Sequence, residues 1–366
     1  MPDPRVQKLA KVLVHYSLGL KPGQQVLLQT EPLADELSLA FLSETLQAGA
    51  HVLTLNAVPG AEEVFFKNAS DAQLDFLMPV RKQIFETFDA RLYIEAPSNT
   101  RILAGVDPTR IARYRKTHAA LFKIVSERFA RGEFRWCLTV YPTEAMAQEA
   151  NMSLSDYREF VFAAGMLNED DPVACWKEEA RRQQRLIDWL AGRKQAVLKG
   201  ENVDLTLSLE GRTFLSCAGT ENFPDGEIFT SPVEDSANGW IRFKYPAIYH
   251  GQEIEDIELW FENGRIVKEK AGKNQAFLTA LLNTDAGARY LGEWGIGTNY
   301  GITRFTKNML FDEKIGGTIH LAAGMGMPEA GGKNESGLHW DMLCDMSSSE
   351  VLVDGDLFYK DGKPVI

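Results

Sequence analysis

The chain has 366 residues, 45% of them hydrophobic and 25% charged, with a formal net charge of −12. The acidic balance excludes a nucleic-acid binder, which needs a basic surface to meet phosphate. The length exceeds what a single core usually supports, so two domains are expected. No apolar run approaches the roughly eighteen residues of a membrane span, and the N-terminal MPDPRVQKLAKVL has no basic-then-apolar signal pattern. A soluble cytoplasmic protein without membrane partners is expected. Cys137, Cys175, Cys217 and Cys344 are widely spaced and form no CxxC pair, which suits reduced thiols rather than a zinc finger or a disulfide framework.

In chain order, Val6, Leu9, Val12, Leu13 and Tyr16 recur at helical spacing over 5–20, and an LKPG turn follows. The segments 24–30, 50–58, 90–99 and 135–143 read as strands, and 33–49, 70–88 and 107–129 as helices between them. Strand–helix alternation of this kind predicts an open, mainly parallel sheet with flanking helices. No GxGxxG follows the first strand, so a dinucleotide site has no fingerprint. A charged amphipathic helix spans 170–195, with Trp176, Leu186, Ile187 and Leu190 as its apolar contacts. After Gly200 the texture changes to alternating strands, with hairpins expected over 203–217 and 254–272 around Glu-Gly and Asn-Gly turns. The fold class read from this pattern is α/β in two domains. Residues 1–198 form the parallel-sheet domain, and 199–366 form an α/β metal-binding domain with antiparallel hairpins.

Chemistry concentrates in the C-terminal half. Pro224-Asp225-Gly226 is a turn that delivers Glu227 beside Ile228 and Phe229, either as a surface acid or as a ligand. Glu293 lies among Leu291, Trp294 and Ile296, where a buried carboxylate needs a lysine, an arginine or a metal ion. His320 sits in a short strand between glycine pairs and reads as a core histidine or a ligand. His339 and Asp341 are spaced i,i+2, so in a strand both side chains reach the same side. Carboxylate and imidazole together are the donors that divalent hydrolase metals take.

The stretches PDGEIFTSP, YLGEWGIGTN, FDEKIGGTIHLA and GGKNESGLHWDM, in this order, resemble the M29 family of metallo-aminopeptidases, the aminopeptidase T/S type. The similarity also takes in the LKPGQQVLLQ start, the YPT turn at 141–143 and the LWFENGRIV hairpin, and so covers nearly the whole chain. It implies an N-terminal α/β domain, a metal-carrying C-terminal α/β domain, and a homodimer with enclosed active sites. By the same resemblance Glu227, Glu293, His320, His339 and Asp341 are ligands of two divalent ions (zinc, cobalt, manganese or magnesium), Glu293 doubles as the catalytic acid/base, and the substrate is a peptide. One departure stands out. Seven residues after the histidine the family carries a tyrosine, thought to donate to the oxyanion, and here GMGMPEAGG places Met327 there. A thioether donates no hydrogen bond. Tyr300, in GTNYG, is the phenol nearest Glu293 in sequence. Two other readings stay open on sequence: a mononuclear iron(II) ring-cleaving dioxygenase using His320, His339 and Asp341, and a catalytically weak metal- or peptide-binding relative.

Overall fold

A computed structural model describes residues 3–249 and 251–366. The chain divides into two compact units, Met1–Val173 with Gly219–Phe223, and Ala174–Ala218 with Pro224–Ile366. The break expected at 198/199 falls inside a strand, Gln195–Gly200, because the preceding helix Pro172–Leu190 belongs almost wholly to the second unit.

In the first unit, strands β1 (Gln25–Thr30), β2 (His51–Asn56), β3 (Ala90–Glu95) and β4 (Arg135–Val140) pair in parallel in the order β2-β1-β3-β4. This is the open parallel sheet that the alternation predicts. The order reverses between β1 and β3, and Leu27, Leu92 and Cys137 lie at matching registers in its centre. Helices at 35–47 and 108–130 match expectation, whereas 70–88 is broken into Asp71–Leu74 and Pro79–Thr87. Pro79 starts the second piece, since proline lacks the N–H an uninterrupted helix would need. Helices Ala61–Asn68, Glu144–Glu149 and Leu154–Ala164 are additional to those read from the sequence.

The second unit is antiparallel. Strands β5 (Gln195–Gly200) and β6 (Val203–Ser208) form a hairpin, so 203–208 pairs backwards rather than with 215–217. The hairpin expected over 203–217 is therefore corrected. Its two halves lie in different sheets, because the alternating Val203, Leu205 and Leu207 register with Gly200, Leu198 and Ala196. Strand β7 (Leu215–Cys217) and the short β8 (Asn222–Phe223) follow, the latter extending the first unit's sheet beside β4. After β9 (Glu227–Thr230), strand β10 (Asn238–Phe243) pairs with β6, and a small ribbon of β11 (Ala247–Tyr249) and β12 (Gln252–Ile254) stands apart. Strands β13 (Ile257–Glu262) and β14 (Arg265–Lys270) form the Asn-Gly hairpin as predicted. Asn263 and Gly264 both have positive φ, 48° and 80°, as a tight twisted hairpin turn requires.

The remaining strands are β15 (Leu291–Gly297), β16 (Thr318–Gly324), β17 (His339–Asp345), β18 (Ser349–Val353), β19 (Asp356–Lys360) and β20 (Lys363–Pro364). They complete an eight-stranded sheet, β14-β13-β10-β6-β5-β18-β19-β20, and a five-stranded sheet, β17-β16-β15-β9-β7. The second sheet positions the site. Every residue of β15 and β16 is buried, so both of its faces are covered. One face, with Ile228, Trp294, Ile296, Ile319, Leu321, Trp340 and Met342, joins the unit's apolar core. Among the described residues no helix is long and apolar enough to cross a membrane.

Candidate metal centre

Strand register puts all five candidate residues on the other face. Gly297 pairs with Glu227, Gly295 with His320, Glu293 with Ala322, and Ala322 with Asp341. Directly paired residues share a face, and the period of two places His339 with Asp341. The same face carries Gly295, Gly297, Ala322 and Gly324, whose small size opens a floor above which the ligands stand. A side chain at 295 would overlap the His320 ring. The register shift between Leu291 and Glu293 is a bulge that turns Glu293 onto this face next to Trp294 on the other.

The turn at 224–227 is fixed by the end of β15. Thr298 N donates to Gly226 O at 2.8 Å, and Asn299 Nδ2 donates to Asp225 O at 2.7 Å. Glu227 is thus 5% exposed and Asp225 fully buried, so the turn acids are interior groups and not surface ones.

The carboxylates and imidazoles converge. His320 Nε2 lies 3.3 Å from Glu293 Oε1 and 3.4 Å from Glu227 Oε2. His339 Nε2 lies 3.3 Å from Glu293 Oε2 and 3.8 Å from Asp341 Oδ2. Glu293 therefore turns one oxygen to each histidine. Both rings are oriented from behind: His320 Nδ1 meets Glu313 O at 3.1 Å, and His339 Nδ1 meets Met325 O at 2.9 Å. A carbonyl only accepts, so each Nδ1 carries the proton and each Nε2 presents its lone pair to the acids, the second-sphere arrangement of ligand histidines.

Two overlapping groups have ligand atoms within 4.8 Å of one another, Glu227–Glu293–His320 and Glu293–His339–Asp341. Glu227 Oε2 and Asp341 Oδ1 are buried without a hydrogen-bond partner. Buried carboxylate oxygens left without donors are a net demand for cations. The donor set, oxygen with imidazole, fits divalent metal ions on that ground. Proton affinities carry the same signature. Burial first, and neighbouring acids next, hold the Glu227 carboxyl well above its ordinary range. Burial alone would lower the imidazoles, yet Glu293 and the surrounding acids raise His320 to about 10 and His339 to about 9. Protons occupy the place cations would take.

Lys314 and Glu313, which follow the short helix Met309–Asp312, were not anticipated as site residues. Lys314 is fully buried, with Nζ 3.5 Å from Glu227 Oε1, 3.9 Å from Asp225 Oδ1, and in closest contact with Glu313 Oε1. A lysine in FDEKIGG reads as surface charge, and the available signal is its place between Phe311 and Ile315, both buried. Asp225 was read only as a turn residue. Tyr300 does not reach the acids, since its hydroxyl donates to Gly362 O at 2.9 Å. Met327 is half-buried, and its backbone N–H donates to Ser231 Oγ at 2.8 Å.

A buried cluster of carboxylates and oriented imidazoles on an α/β scaffold defines a metalloenzyme. The chain belongs to the thermophilic metalloprotease (M29) family, whose profile matches residues 2–364, and is thus a metallopeptidase, a hydrolase. An aminopeptidase 2 of Geobacillus stearothermophilus is 28% identical, covering 99% of this chain and 95% of its own length. An aminopeptidase T of Thermus thermophilus is 27% identical over 98% and 95%. The solved structure of wild-type AmpT from Thermus thermophilus shares the fold, with a TM-score of 0.86 over 99% of both chains at 23% identity.

Proposed function

We propose that the protein is a two-metal aminopeptidase. The observation that carries this reading is the division of Glu293, with one oxygen 3.3 Å from each of two separately oriented histidines. Glu227, Glu293 and His320 would hold one ion, and Glu293, His339 and Asp341 the other. When bound, such a pair of ions polarises a carbonyl and brings the acidity of water towards neutrality. The similarity to aminopeptidases named T and 2 supports removal of N-terminal residues from peptides.

The protein's own groups then have distinct work. The carbonyls of Glu313 and Met325 fix both imidazole tautomers, so Nε2 is delivered as a donor at neutral pH. Small residues on the site face leave room for water and substrate, and the apolar opposite face keeps the sheet rigid beneath them. Glu293 is the shared ligand in this reading. Its role as acid/base requires one of its oxygens to be released from a histidine side, since both are engaged. Met327 offers no proton to a developing oxyanion, so slow turnover is part of the proposal.

The mononuclear dioxygenase reading is not favoured: the two histidines fall into different ligand groups, and Glu227 and Glu293 stand between them. A homodimer in the cytoplasm, implied by the resemblance, belongs to the same proposal and is checked by sedimentation and fractionation. The central test is elemental analysis of purified protein with an amino-acid amide panel. About two zinc, cobalt or manganese ions per chain with amide hydrolysis supports the reading. A single iron, or full hydrolysis by Glu293→Gln, overturns it.

A further inference from the structure

We infer that Lys314 is the resident cation of this centre: its ammonium holds Glu227 through Oε1 and closes a third ligand group, Cys217–Asp225–Glu227, so that divalent ions enter only on the histidine side. The inference rests on the two-ion reading above and adds a positioning residue to it.

Geometry supports it from three directions. Glu227 is split, with Oε1 3.5 Å from Lys314 Nζ and Oε2 3.4 Å from His320 Nε2. The ammonium thus takes one oxygen and leaves the other, which has no hydrogen-bond partner, for a metal ion. Behind Glu227, the thiol of Cys217 and the carboxylate of Asp225 lie with it inside 4.8 Å, a set able to hold a cation. Cys217 pairs directly with Glu227 across β7 and β9, so the thiol stands on the same face of the sheet. The lysine reaches into this set, with its Nζ 3.9 Å from Asp225.

Charge balance points the same way. Five carboxylates surround the centre, Asp225, Glu227, Glu293, Glu313 and Asp341. Two divalent ions and one ammonium match them charge for charge, with both histidines neutral as ligands. Without the ammonium the same acids would draw in a further divalent ion, and the thiol beside them favours a soft or borderline one. A buried lysine cannot leave, so its charge occupies the position permanently.

Cobalt(II) titration of the metal-stripped full-length protein tests this, followed by equilibrium dialysis and near-ultraviolet absorption. Wild type is expected to take two Co2+ with no thiolate-to-cobalt charge-transfer band. Lys314→Met should take a third and gain the band, and Cys217→Ser in that background should remove it. Lys314→Arg should behave as wild type. The ion held by Glu227 should bind about 10–100-fold more weakly in Lys314→Met, the usual cost of losing a group that orients a ligand. Lys314→Met that keeps two ions at wild-type affinity, without the band, overturns the inference, as does a thiolate band in wild type. If Lys314→Met folds only with Co2+ present, a divalent ion has replaced the ammonium and the inference stands; if it stays unfolded either way, it fails. Wild type taking fewer than two ions would count against the two-metal proposal, while appearance of the band in Lys314→Met would still decide the lysine's role.

Discussion

Gly295 and His320 face each other across β15 and β16, and the imidazole fills the space a side chain at 295 would need. The ring cannot retreat, because its Nδ1 is tied to Glu313 O and the residue is 1% exposed. Gly295→Ala should therefore displace the ligand without touching its chemistry. The expected outcome is a protein less stable by about 1–3 kcal/mol, the range for overpacking, with the ion at His320 weakened and the one at His339 retained. Calorimetry and metal analysis check it, and full metal content at wild-type stability would refute it.

Glu227 and Glu293 are both carboxylates about equally buried, yet they should not be equivalent. Glu293 belongs to both ligand groups and Glu227 to one of the two. Glu293→Gln is expected to lose both ions at micromolar free metal, and Glu227→Gln only one. Each change should lower affinity by more than the about 100-fold seen for outer-sphere partners. Equal metal content in the two variants would sink the shared-ligand assignment.

Met327→Tyr places a phenol where the resemblance expects one. If the rest of the centre is competent, kcat should rise by about two orders of magnitude or more, the value of one oxyanion donor, with KM little changed. Steady-state kinetics on a leucine amide or anilide reads this directly. An unchanged kcat would show that position 327 does not face the developing charge.

A pH effect is expected far from the metal centre. Glu95, at the end of β3, is lifted to about 7 by burial first and by the charge of Glu31 second. A carboxyl raised in the folded state favours folding fully below its unfolded value near 4.5, and that contribution is lost as pH rises through about 7. Glu95→Gln should therefore raise Tm relative to wild type at pH 8, by at most about 3 kcal/mol in stability, with the difference vanishing towards pH 4. Thermal scans across that window would disprove the assignment if the two melting curves stayed parallel.

Much of the site is visible in the sequence once strand period is applied. Glu293, Gly295 and Gly297 alternate with Trp294 and Ile296, and His339 and Asp341 alternate with Trp340 and Met342. The polar set and the core set are thus written on opposite faces. Lys314 was not legible, because lysine in a short polar segment normally points to water, and only the convergence of Asp225, Glu227 and Glu313 reverses that. The pairing of 203–208 was misjudged for a related reason. Alternation fixes which face a strand buries but not which neighbour it chooses, and both Gln195–Gly200 and Leu215–Cys217 were adjacent in sequence. The short helices at 61–68, 144–149 and 154–164 contain too few turns for their periodicity to emerge from the surrounding loops.

Glu227 and Asp341 are more than a hundred residues apart in the chain yet stand on strands of one sheet, joined through Glu293 in between. Ions held by these residues would act as crosslinks, closing long loops that an unfolded chain must otherwise leave open. In that respect the centre would do for this unit what a disulfide does for a secreted domain, and its hold would depend on free metal rather than on oxidation.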